Sequence, residues 1–262
     1  VLKITTYFQM PKKNTNKNYF IILSKSIIIS SSMAFIIWMS ISWEKSKKPF
    51  YNSSIIVNGA NAINDTTYLS YINQMTGQKV NDLSKKRLIN ALVTHPFVHV
   101  ARISNRYPSK LIIDIKERKP FALINKDPMV ILDQNCYVLP VNNLGKYDIP
   151  VLSKFNKDDT LYPHGEKSLS IKVQNTISWL SSLHDKYPKF YYDISEILLE
   201  NGDEIVIILN ESPTKIFLGN ANTLKKIAIL KKFEETILNT KKITDYAYLD
   251  IRYNNQVIAK EF

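Results

Sequence analysis

Cysteine is almost absent from this 262-residue chain, and Cys136 is its single example. No disulfide can form within the chain, so the folded part must depend on its hydrophobic core. Only 6 glycines and 11 prolines occur, which excludes a low-complexity chain. The length leaves room for a short anchor and for one or two compact domains.

Signatures of catalysis and of metal binding are also missing. No G-x-S-x-G, P-loop, G-x-G-x-x-G or H-E-x-x-H motif occurs. The four histidines are His95, His99, His164 and His184, and they fall into no known metal-binding motif. Asp133 and Asp250 are interpreted as a turn former and as a salt-bridge partner. We therefore predict no catalytic residue, no metal site and no cofactor, and hence a protein that is not an enzyme.

The formal net charge of +12 comes from 35 basic and 23 acidic residues. Lysines recur along the whole chain and do not form one basic stripe, and isoleucine and asparagine are abundant with them. A nucleic-acid interface would favour clustered arginines with aromatic residues. The composition therefore predicts neither a nucleic-acid partner nor a small-molecule substrate.

One long apolar run stands near the N-terminus, from Tyr19 to Trp43, without an acidic residue. The eighteen steps from Lys25 to Trp43 span about 27 Å as a helix, close to the hydrocarbon thickness of a bilayer. Lys25 and Trp43 would lie at the two interfaces. The alternative is a signal peptide, but the run exceeds the usual apolar length and no A-x-A-like site follows. We predict an uncleaved transmembrane helix over 19–43.

The charges that flank this run favour one orientation. Lys3, Lys12, Lys13 and Lys17 precede it, whereas Glu44 accompanies the lysines that follow it. This bias favours a cytoplasmic N-terminus and an exported C-terminal part. Residues 1–18 are predicted to be a cytoplasmic basic tail, and residues 44–52 a linker.

Patterns in the exported part change near Pro120. Before it, a short strand at 54–58 is followed by helices near 66–75 and 84–95 and by strands at 98–106 and 111–117. After it come many short strands, a hairpin signal at Asn201-Gly202, and two helices near 168–185 and 223–238. We predict an α+β fold with domains at 53–120 and 121–262.

Three ordered motifs in the first of these domains resemble those of a known family. They are Val57-Asn58-Gly59, then Pro96-Phe97-Val98 through Ala101-Arg102-Ile103 to Arg106-Tyr107-Pro108, and finally Glu117-Arg118-Lys119-Pro120-Phe121-Ala122. Together they resemble a POTRA domain, specifically that of the FtsQ/DivIB cell-division proteins. The run Leu249-Asp250-Ile251-Arg252-Tyr253 is similar to the family's D-x-R-Y strand.

The resemblance implies a fold and a role. The fold is a single N-terminal transmembrane helix, a βααββ POTRA domain, and then a strand-rich β domain with two helices. The role is that of a non-catalytic divisome scaffold at the septum, which links division proteins and helps to control septal peptidoglycan synthesis. The location is the bacterial inner membrane, with the C-terminal domains in the periplasm.

The resemblance also implies partners and a binding site. FtsB/FtsL-like proteins and other membrane division proteins are the expected partners, and a partner strand would add to the last strand of the β domain. The matching positions are Arg252, Tyr253, Asn255, Val257, Ile258, Ala259, Lys260 and Glu261. Arg252 would pair with a partner carboxylate and Tyr253 would offer aromatic area. The alternative is that both residues only stabilise their own sheet.

Two other functions remain open on the sequence. A POTRA-type docking protein of an outer-membrane assembly or secretion system would carry tandem repeats or a membrane barrel, and neither pattern is visible. A membrane-anchored cell-wall enzyme would need a cluster of catalytic side chains.

Overall fold

The computed structural model describes residues 15–46, 54–106, 109–141, 147–201, 203–253 and 256–262. Of these, 15–18 and 43–46 are described by their backbone alone. The chain divides into two units, Val1–Asn52 and Ser53–Phe262.

The first unit contains one helix, α1, from Thr15 to Ser46. Its portion Tyr19–Ser42 has a mean hydropathy of 2.0 and no buried residue, so it is long and apolar enough to cross a membrane. The hydroxyls of Ser24, Ser26 and Ser30 each donate a hydrogen bond to the carbonyl oxygen three residues earlier. These bonds satisfy polar groups that lipid could not.

The helix extends beyond the predicted transmembrane span of 19–43 at both ends, and the bounds of that span stay a prediction. Residues 15–18 of the predicted tail and residues 44–46 of the predicted linker are also helical. The rest of the tail, 1–14, and the linker from 47 onward lie outside the described residues.

The second unit begins with a three-stranded sheet covered by two helices. Its elements are β1 (Ser54–Asn58), α2 (Asp65–Thr76), α3 (Lys85–Val93), β2 (Val98–Arg106) and β3 (Lys110–Glu117). The strand order is β1-β3-β2, with β1 parallel and β2 antiparallel to β3. This arrangement confirms the predicted βααββ fold.

Alternation along these strands separates a core face from an open face. Ile103, Ile113 and Ile115 lie in the core with Tyr68 and Leu92 of the two helices. The helix α2 begins at Asp65, one residue before its predicted start, and Asn64 occupies the cap position. A helix boundary read from sequence is uncertain by about one or two residues.

The remaining strands form one nine-stranded mixed sheet in the order β12-β11-β10-β9-β8-β7-β4-β5-β6. The strands are β4 (Pro120–Ile124), β5 (Val130–Asp133), β6 (Val138–Leu139), β7 (Val151–Ser153), β8 (Ile194–Glu200), β9 (Glu204–Leu209), β10 (Lys215–Gly219), β11 (Tyr246–Asp250) and β12 (Ile258–Glu261). The helices are α4 (Ile171–Lys186), α5 (Pro188–Tyr192) and α6 (Thr223–Ile237). The two long helices, α4 and α6, were predicted, whereas the five-residue α5 was not.

A buried ion pair joins the two sheets. Arg118 Nη1 lies 2.7 Å from Asp133 Oδ2, and both side chains are less than a tenth exposed. The guanidinium of Arg118 also stacks 3.6 Å from the centre of the Tyr137 ring. Beside it, Phe97 packs against Ile131 and Leu139 of the nine-stranded sheet. Pro120, predicted to end the first domain, belongs to the second sheet; the domain bounds themselves stay a prediction.

Candidate partner-binding edge

The last strand, β12, lies at the edge of the nine-stranded sheet. It pairs antiparallel with β11, with Asp250 opposite Ile258 and Tyr248 opposite Lys260. Among the described residues, no strand pairs with its other side. All four of its residues are exposed. Such an edge presents backbone N–H and C=O groups that can accept another strand.

The side chains of β12 point alternately to two faces of the sheet. Ala259 and Glu261 share one face, and Glu261 forms an ion pair with Lys241, which follows α6. Ile258 and Lys260 share the other, and Ile258 is 43% exposed. Val257, one residue before the strand, is partly buried against the main core.

Arg252 is engaged within its own sheet. Its guanidinium donates from Nη2 to Asp250 Oδ2 at 2.6 Å and from Nη1 to Glu204 Oε2 at 3.1 Å. It also lies 5.3 Å from the centre of the Phe217 ring. The hydrogen bond from Arg252 holds the pKa of the Asp250 carboxyl below its ordinary value, despite burial. These contacts favour a positioning role for Arg252 at the start of the loop that leads to β12.

The other predicted positions are placed differently. Tyr253 is 50% exposed, and the C-terminal Phe262 is 71% exposed. Half-exposed tyrosine at a sheet edge offers both apolar area and a hydroxyl to a partner. Asn255 lies outside the described residues.

Sequence reasoning did not find the aromatic pair on the open face beside β12. The rings of Phe217 and Tyr248 lie edge to face, with centroids 6.0 Å apart, and both side chains are half-buried. The available signal was the continuous apolar run Ile216-Phe217-Leu218, which indicates a strand with apolar side chains on both faces. If Phe217 and Tyr248 are added to Tyr253 and Ile258, the predicted site extends from the edge strand onto the face of the sheet.

The His, Cys, Asp and Glu side chains that the structure describes do not form a metal site. Within the described residues, no group of three or more His, Cys, Asp or Glu side chains is placed to hold a metal ion. Asp133 accepts hydrogen bonds from the N–H groups of Asn135 and Tyr137 and pairs with Arg118. Asp133 and Asp250 thus have the structural roles that the sequence indicated.

Comparison with known proteins decides the family. The family model described as "POTRA domain, FtsQ-type" matches residues 51–118. The model described as "FtsQ/DivIB, C-terminal related" matches residues 119–260, more than half of the chain. The chain belongs to the FtsQ/DivIB family.

Individual relatives agree with this assignment. The chain is 26% identical over 170 residues to the cell division protein FtsQ of Geotalea daltonii, covering 64% of this chain and 60% of that protein. It is 22% identical over 185 residues to FtsQ of Syntrophotalea carbinolica, covering 70% and 64%. It is 26% identical over 188 residues to the cell division protein DivIB of Clostridium tetani, covering 69% and 68%. The chain thus spans 60% and 64% of the length of the first two relatives.

In this FtsQ/DivIB chain, the motifs that carried the resemblance have structural explanations. Gly59 has φ +84, and a Cβ there would lie 2.0 Å from the carbonyl oxygen of Ile115. Glu117 accepts hydrogen bonds from the N–H groups of Asn61 and Ala62 and from the Tyr68 hydroxyl. The family motifs at the start and end of the POTRA domain therefore fix the loop after β1 and, through Arg118, the junction with the next sheet.

Proposed function

We propose that this FtsQ/DivIB chain is a non-catalytic division scaffold that binds an FtsB/FtsL-like partner by strand addition to β12. The exposed outer edge of β12 is the observation that carries the proposal. Backbone pairing would supply affinity, and side-chain pockets on the sheet face would supply specificity. The names of the relatives, cell division proteins FtsQ and DivIB, support a role in the divisome.

The proposed location follows from α1. This helix anchors the chain in the cytoplasmic membrane, with the basic N-terminal tail inside and the two sheets in the periplasm at the septum. From there the chain links early and late division proteins and helps to control septal peptidoglycan synthesis. Family membership favours this role over docking in an outer-membrane assembly and over cell-wall hydrolysis.

A substitution of Tyr253 tests the site well, because the chain contains a second tyrosine, Tyr192, that serves as a matched control. Tyr253 is 50% exposed beside β12, and Tyr192 is 51% exposed on α5. In capture experiments with FtsB- and FtsL-like proteins, Tyr253→Ala is expected to weaken binding by about tenfold or more, since buried aromatic anchors carry much of an interface's energy. Tyr192→Ala is expected to bind as the wild type does. Equal binding by the two variants would remove Tyr253 from the site.

Arg252→Glu also tests the site, with an added control for folding. It is expected to weaken capture, but it places a third carboxylate beside Asp250 and Glu204 and so strains the sheet. Cys136, between β5 and β6, reports on whether the nine-stranded sheet is folded, because it is buried and its pKa is raised by desolvation to about 12. A folded variant keeps this thiol unreactive toward a maleimide. Full capture by Arg252→Glu would remove Arg252 from the site.

A further inference from the structure

The open face of the three-stranded sheet is strongly basic. It lies opposite α2 and α3, and the strand registers place eleven positions on it. We call it the basic face; its positions are Ser54, Ile56, Asn58, Val100, Arg102, Ser104, Arg106, Lys110, Ile112, Asp114 and Lys116.

The basic face carries four exposed cations. Arg102, Arg106, Lys110 and Lys116 are all exposed, and none forms an ion pair with a carboxylate in the part of the chain that the structure describes. The one acid of the face, Asp114, accepts a hydrogen bond from Asn58 Nδ2 at 2.9 Å. The face therefore carries a net excess of three positive charges from these side chains.

The strand register brings like charges together. Arg106 stands directly opposite Lys110 on the same face, whereas Arg102 stands opposite Asp114. Like charges in this position destabilise a sheet, whereas opposite charges stabilise it. The Arg106–Lys110 pair therefore carries a repulsion that an external anionic surface would relieve.

Aliphatic side chains lie among these cations. Ile56 is 38% and Val100 51% exposed, and none of the eleven positions is aromatic. Exposed aliphatic groups within a basic rim suit the boundary between lipid headgroups and acyl chains. Single-stranded nucleic acid would instead favour aromatic rings on which bases stack.

Covalent connection also favours a lipid surface. The membrane-anchor helix ends at Ser46, and β1, which contributes Ile56 to the face, begins at Ser54. Eight residue steps reach at most about 29 Å, however the two units are arranged. A tether of this length gives a weak surface contact a high effective concentration.

We propose that the basic face binds the surface of a bilayer that carries anionic headgroups. Each cation near such a surface contributes a factor of about five to the association constant at moderate salt. This contact is independent of β12, so it can fail while the proposed partner binding holds.

The test uses the full chain in nanodiscs, with a fluorophore on Val100→Cys and quencher-labelled lipid headgroups. Buried Cys136 stays unlabelled. Quenching is expected to be several-fold stronger in discs that contain phosphatidylglycerol than in discs of phosphatidylcholine alone, and to decline as salt is raised. A label on Asn90→Cys, exposed on α3, is expected to show no such difference.

A charge-matched pair of variants separates this face from net charge. Replacing Arg102, Arg106, Lys110 and Lys116 by glutamine is expected to reduce quenching to that in neutral discs. Replacing Lys79, Lys85, Lys86 and Arg87, all exposed on the helical side, is expected to leave it unchanged. Equal quenching in the two lipid compositions, or equal loss with both variants, would overturn the proposal and leave the face to an acidic protein partner.

Discussion

Among single residues, His95 is a buried imidazole between aromatic rings. The rings of Tyr68 and Tyr71 meet it edge to face, with centroids 4.9 and 4.7 Å away. Its Nδ1 accepts a hydrogen bond from the N–H of Phe97, so this nitrogen is unprotonated. Burial lowers the pKa of His95 below its ordinary value of 6.5, while the Glu117 carboxylate opposes the change.

This environment predicts a pH-dependent stability. As the pH falls below 6.5, the unfolded chain takes up a proton at His95 before the folded chain does, so the free energy of unfolding decreases. His95→Asn, which keeps an acceptor near Nδ1 but cannot titrate, is expected to lose this decrease. Urea unfolding at pH 7.5 and 5.5 measures it, with exposed His164→Asn as the control. An unchanged pH dependence in His95→Asn would contradict the assignment.

Among the elements, β1 and α2 each end at a glycine with positive φ, but the two sites differ in the space around them. Gly59 faces the carbonyl oxygen of Ile115, whereas a Cβ at Gly77 would meet nothing within 4 Å. Gly77→Ala is expected to cost about 1 kcal/mol, from backbone strain alone. Gly59→Ala adds a steric clash and is expected to cost roughly 3 kcal/mol or more. Chemical unfolding compares them, and equal costs would show that the loop after β1 relaxes.

Local chemistry explains which elements could be predicted. The alternation of Leu111, Ile113 and Ile115 and the hairpin signal at Asn201-Gly202 act within a few residues, and the strands they predicted are present. The pairing of Arg252 with Glu204 depends on strands that are distant in sequence. The contact between Phe217 and Tyr248 depends on the parallel register of β10 with β11, which no local pattern encodes.

At the scale of the whole molecule, the Arg118–Asp133 pair fixes the junction between the two sheets. Removing one member of a buried pair leaves an uncompensated charge and costs about 3–5 kcal/mol. Arg118→Met is therefore expected to destabilise the chain by about 3 kcal/mol, while adding Asp133→Asn is expected to recover part of the loss. Urea unfolding of the single and double variants measures the coupling. Additive effects of the two substitutions would show that the pair contributes nothing.

The buried junction between the two sheets differs from the two exposed surfaces for which we propose binding roles. The junction holds the sheets together through buried contacts, whereas β12 and the basic face are exposed. On our proposals, the exposed edge of β12 binds a partner strand and the basic face binds a lipid surface. The sequence resemblance located the β12 edge but not the basic face, because the latter requires the register between β2 and β3.

Hydrogen exchange of β12 tests the central proposal most directly. If a partner strand adds to its outer edge, backbone N–H groups within Ile258–Glu261 that face solvent become hydrogen-bonded and exchange more slowly. We predict strong protection of this segment when an FtsB/FtsL-like partner binds the full chain, with little change in β1. Binding that leaves exchange in β12 unchanged would contradict strand addition at this edge.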